Sequence, residues 1–178
     1  MAVPPSGPTH PDHSPAPPDW GRRSARELVD HLMASHHPRS RNLLLLLGSA
    51  SEACSGLEGP DHPVLSKVRD ALRLLGPELL EHLDFEEREL FPVILGREAE
   101  GRALPPIWER ETGLVEMHRQ HDHAQDLLGD LRILTQDYQP LPGADPRVVR
   151  LYGLLKELDE DLELHIELEN RWLFSRGD

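Results

Sequence analysis

The chain has 178 residues, enough for one domain with its own apolar core. Acidic residues outnumber basic ones, 32 to 19, and the net charge of −13 argues against nucleic acid or an anionic membrane surface as a partner. Cys54 is the single cysteine, which excludes an intrachain disulfide and any cysteine-rich zinc or iron–sulfur site.

Residues 1–22 are rich in Pro, Ser and Gly and have no hydrophobic period, so their composition predicts a disordered tail, with residues 23–178 forming one domain. His10 and His13 fall in that tail. The first twenty residues carry no Lys or Arg and no apolar run, and do not read as a secretory signal. With the lone thiol, this fits a cytoplasmic setting. The longest apolar run, Leu43 to Leu47, is too short to span a bilayer.

Ser24 and Glu27 have the spacing of a capping box and open a first helix, predicted to end at Gly48. A Ser-, Gly- and Pro-rich loop follows to His62. Pro63 suits a first helical turn, and a second helix is expected to run to Leu95, kinked or broken at Gly76-Pro77. Its inner face is marked by Leu65, Val68, Leu72, Leu75, Leu79 and His82 at helical spacing. Residues 96–106 read as a loop. A third helix is predicted over Ile107–Asp137, with Leu114, Met117, His121, Leu128 and Leu131 on one stripe. A fourth is predicted from Pro146 to Phe174, with Leu151, Leu155, Leu158, Leu162 and His165 inward. No segment alternates with period two. The pattern predicts an all-α, antiparallel up-down four-helix bundle.

Such a bundle needs only an apolar core, so polar residues on its inner stripes require a cause. The second helix carries His82 and Glu86, the fourth His165 and Glu169, each pair four residues apart and hence on one helical face. A buried ionised carboxylate is costly unless a cation or donor network compensates it. Two such pairs suggest a shared dication site. The first helix adds His36 and His37, the third His118, His121 and His123, of which His37 and His121 are best placed to point inward. The simplest site takes His37, His82, His121 and His165 as nitrogen ligands and Glu86 and Glu169 as bridging carboxylates. That donor set suits iron, copper or zinc better than magnesium or calcium. His118, one turn from His121, is a further candidate.

These motifs resemble those of hemerythrin-like proteins. HLDFEERELFP (82–92) is similar to their "H…EE..LFP" signature, and LDEDLELHIELENRWLFSR (158–176) to their closing "LD.DL..HI.LEN..LFPR", with Ser175 in place of Pro. EMHRQHDHA (116–124) resembles "E.EHD.A", which puts His121 at the ligand position. ELVDHLMASHHPRSR (27–41) resembles "LIDHI...YH...R", which puts His37, rather than His31 or His36, at the other. The resemblance covers about residues 24–176 and is strongest to di-iron proteins that repair iron centres after nitrosative or oxidative damage. It implies two non-haem irons with an oxo or hydroxo bridge, manganese or zinc as substitutes, and O₂, NO and damaged iron–sulfur proteins as partners. It leaves a reversible O₂ carrier or sensor, or a bundle merely stapled by metal, as alternatives. Two departures stand out. Repair proteins often have an N-terminal domain with a cysteine pair where this chain has its Pro-rich segment. They also tend to have a histidine in a "VHG" segment where this chain has Leu57-Glu58-Gly59, making Glu58 and nearby His62 additional candidates.

Overall fold

The computed structural model describes residues 19–59, 62–102 and 113–175. The expected tail lies outside these up to residue 18. Its last residues, Trp20–Arg22, form a 3₁₀ turn, and the Trp20 ring packs 4.8 Å from that of His31.

Four helical rods follow, with no strand among the described residues. The first is α1 (Ala25–His31), a π turn (Leu32–His36) and α2 (His37–Cys54). Ser24 and Glu27 close the expected capping box. The rod runs on past Gly48, where the sequence predicts an end. A helical glycine costs about 1 kcal/mol relative to alanine, too little to stop a helix whose next turns bury Ala50, Ser51 and Cys54.

The second rod is α3 (Pro63–Phe85), a π turn (Glu86–Leu90) and α4 (Phe91–Ala99). It passes through Gly76-Pro77 without a break. An interior proline costs about 3 kcal/mol, but Leu75, Leu79 and Leu83 on either side are buried, at about 1.5–3 kcal/mol each. The rod also extends to Ala99, four residues beyond its predicted end.

The third rod, α5 (Leu114–Thr135), has its predicted start outside the described residues. It stops two residues early because Gln136, Asp137 and Tyr138 all take positive φ (54°, 57° and 60°). This left-handed turn swings Tyr138 into the core, where its hydroxyl donates to Asp159 (2.8 Å). The fourth rod is α6 (Pro146–Leu168), capped by Asp145, and a π turn (Glu169–Leu173).

The first rod lies against the second and fourth, and the third packs against the same two, as in an up-down bundle. Two apolar clusters fill the interior. One holds Leu43, Leu79, Leu83, Leu128 and Leu162; the other holds Leu32, Leu90, Phe91, Met117, Leu168 and Leu173. Along every rod, the histidines and glutamates of interest fall in the step from one cluster to the other.

The three π turns sit at that step. A π turn inserts one residue, so two consecutive side chains can face inward where an α-helix would turn one away. His36 and His37 are both buried at the end of the first turn, Leu90 and Phe91 at the end of the second, and Leu173 and Phe174 at the end of the third.

Candidate metal centre

His82 lies in the last turn of regular α-helix and Glu86 begins the π turn of the second rod. His165 and Glu169 repeat this in the fourth. The shared pattern His-x-x-x-Glu-x-x-x-Leu-Phe thus has one local structure twice over, and the two copies face each other. His37 enters from the first rod and His121 from the third.

The six side chains form two groups of four, His37, Glu86, His165 and Glu169, and His82, Glu86, His121 and Glu169. Within each group one ligand atom per residue lies within 4.8 Å of the others. Both carboxylates are common to both groups, and each divides its oxygens between them. Glu86 Oε1 is 3.2 Å from His82 Nε2, while its Oε2 is 3.5 Å from His37 Nε2 and 3.9 Å from His165 Nε2. Glu169 Oε2 is 3.2 Å from His121 Nε2, and its Oε1 3.1 Å from His165 Nε2.

All six residues are buried, Glu86 and Glu169 completely. Both oxygens of both glutamates, His37 Nε2 and His165 Nε2 have no hydrogen-bond partner. Buried polar atoms are almost always paired, and unpaired carboxylates in an apolar surround are costlier still. Orphaned atoms converging from four rods are what a cation site requires, and imidazole with carboxylate is a donor set that iron accepts.

Outer partners fix three of the rings. His37 Nδ1–H donates to Glu87 Oε1 (2.9 Å), His82 Nδ1–H to Gln120 Oε1 (2.8 Å) and His121 Nδ1–H to Asn170 Oδ1 (3.2 Å). These acceptors hold the proton on Nδ1 and leave Nε2 facing the centre. Arg41 in turn binds Glu87 (3.1 Å) and Asp84 (2.8 Å). Sequence reasoning missed this layer, although a signal exists. Glu87, Gln120 and Asn170 are each the chain neighbour of a site residue, Glu86, His121 and Glu169, and each serves a histidine on another rod.

The charges are unevenly held. Burial and the neighbouring Glu169 push the Glu86 carboxyl up. Burial acts the same way on Glu169, but His165 and His121 outweigh it and hold that carboxyl well below its ordinary range. Burial and the charge of His165 bring His37 down to about 4. Burial also opposes the charged form of His82, but Glu86 overrides it and carries the ring to about 9.

A cavity of about 320 Å³ leads in from the surface between the second and third rods. Exposed Glu78, Glu81 and Arg119 line its outer part, and His82, His121 and His165 its inner part.

The family model of the hemerythrin HHE cation binding domain matches residues 28–176. The chain belongs to the hemerythrin HHE family. Among its relatives is the iron-sulfur cluster repair protein YtfE of Cronobacter sakazakii, 31% identical over 167 residues, covering 92% of this chain and 71% of that protein. YtfE of Escherichia coli O1:K1 / APEC is 31% identical over 160 residues, covering 89% of this chain and 69% of the other. YtfE of Salmonella paratyphi B is 32% identical over 165 residues, with the same coverage. Within this hemerythrin-type bundle, Glu58 is drawn away from the centre into an ion pair with Arg69. His62 precedes α3, outside both groups of four. His118 is exposed, its ring edge-on to Phe174 at 6.0 Å. His36 is buried but turned to Asp161 (3.0 Å), a role that its place beside His37 does not signal in sequence. No helix among the described residues is long and apolar enough to cross a membrane.

Proposed function

We propose that His37 and His165 hold one non-haem iron, that His82 and His121 hold a second, and that Glu86 and Glu169 bridge them. The reading rests on one observation above all: two buried groups of four share two carboxylates, each of which turns one oxygen toward each histidine pair. A pair of irons so held supplies one-electron redox change and open positions for small molecules such as O₂ or NO. The residues supply the rest. The glutamates compensate the metal charge, the outer acceptors orient the imidazoles, and the two leucine-rich clusters close off the centre along the bundle axis. Manganese or zinc can occupy the same donors.

Iron–sulfur cluster repair is the activity this site serves, in a cytoplasmic setting, with damaged iron–sulfur proteins as partners. The relatives named for that repair support it, and so does the cavity that reaches His82, His121 and His165, since a metal that only staples a bundle needs no route to the surface.

The test is anaerobic loading with ferrous iron, elemental analysis, and addition of the loaded protein to an iron–sulfur enzyme inactivated by NO or peroxide. Two irons per chain and recovered enzyme activity are expected. A reproducible value near one iron, or zinc alone after iron loading, removes the bridged pair. Two irons with no recovery, and an O₂ adduct that reverses when oxygen is withdrawn, replaces repair by oxygen carriage or sensing.

A further inference from the structure

The ring of His165 has a neighbour that the metal site does not use. His36, buried on the first rod, lies 5.7 Å from it between ring centroids. His31 lies 5.3 Å from His36, edge-on, and Trp20 lies 4.8 Å from His31. Each step is within the range of packed aromatic pairs. The result is a continuous stack from the centre to the 3₁₀ turn ahead of α1.

The π turn makes the stack possible. His31 and His36 are five residues apart, which on an α-helix turns two side chains roughly 140° from each other. The π turn over Leu32–His36 places residues i and i+5 over one another. His36 is also locked in place, with Nδ1–H donating to Asp161 Oδ1 (3.0 Å) and Ser40 Oγ to Asp161 Oδ2 (3.3 Å). Other site histidines lead to rings that are much harder to oxidise: His37 faces Phe91 at 5.5 Å and His121 faces Phe174 at 6.1 Å.

We propose that Trp20, His31 and His36 form an electron relay that lets the indole of Trp20 reduce the iron centre when a peroxide reaches it. Peroxide needs two electrons and two protons to become two waters. Trp20 supplies one of these electrons, through His31, His36 and His165; a half-oxidised iron pair, when bound, would supply the other. The oxidised indole then loses its Nε1 proton to solvent, and a small thiol returns a hydrogen atom, becoming a thiyl radical. Damage is thereby moved from the buried ligands to a replaceable electron near the surface. The relay rests on the two-iron reading above.

The test treats iron-loaded protein with hydrogen peroxide in the absence of thiol and maps oxygen addition by peptide mass spectrometry. Freeze-quench electron paramagnetic resonance follows the tryptophan radical, and zinc-loaded protein serves as control. Oxygen addition on Trp20 and a tryptophan radical are expected only with iron. Both should fall to the zinc level in His31→Leu. In Trp20→Phe, oxidation should shift inward, to Met117 and the histidines. A protein that binds two irons yet leaves Trp20 unmodified overturns the relay alone, as does equal Trp20 oxidation with zinc or in His31→Leu. A protein that takes up no iron overturns the relay and the two-iron reading together.

Discussion

The six inward residues differ from their neighbours in what they lose without a cation. Glu86 and Glu169 are fully buried with both oxygens turned to the histidines and no well-formed hydrogen bond, whereas His118 and His123 are exposed. His121→Ala should therefore cut iron content from two per chain toward one, and His118→Ala should leave it unchanged, as read by elemental analysis of purified, iron-loaded protein. Proton linkage gives a second expectation at this scale. In metal-free protein His82 keeps its proton up to about 9, and that raised value adds stability below its ordinary 6.5 that is lost as pH climbs through 9. His37, lowered to about 4, works oppositely, adding stability above 6.5 that is lost as pH falls toward 4. Metal-free stability contributed by this pair should peak near 6.5. Metal binding needs His82 deprotonated, so uptake at pH 7.5 should release protons and strengthen as pH rises. Titration calorimetry in two buffers of different ionisation enthalpy checks this; identical heats would refute it.

At the scale of the element, the π turn is the recurrent device. Each of the three contains or directly precedes a site residue and delivers two adjacent buried side chains, which anchors the ligands against the cluster below. Their cost is repaid by packing, and the same balance carries α2 through Gly48 and α3 through Pro77. Gly48 is exposed in mid-helix and a β-carbon there would meet nothing within 4 Å. Gly48→Ala should stabilise the protein by about 1 kcal/mol, raising Tm by about 2–4 °C. Thermal unfolding of iron-loaded protein reads the shift, and a fall in Tm would mean that α2 does not continue through this position.

For the molecule as a whole, the six site residues lie between two apolar clusters, so on the proposed reading their occupancy by metal governs how the four rods hold together. With iron in hundredfold excess over its dissociation constant, binding adds about 2.7 kcal/mol, and chelation should lower Tm by roughly 5–10 °C. An unchanged Tm would show that the centre is not coupled to folding. The sequence alone determined the bundle and the inward-facing set, because helical spacing fixes which face a residue occupies and burial of charge on that face demands compensation. It pointed to His37 over its neighbours by its spacing from Leu32 and, independently, by resemblance. Tertiary structure decided the division of each carboxylate between two histidine pairs, the outer acceptors Glu87, Gln120 and Asn170, and the turning of His36 toward Asp161. It also decided where helices end, since packing beyond Gly48 and Pro77 overrides local propensity. Those features depend on contacts between rods distant in the chain, and helical periodicity within one rod carries no record of its neighbour's register.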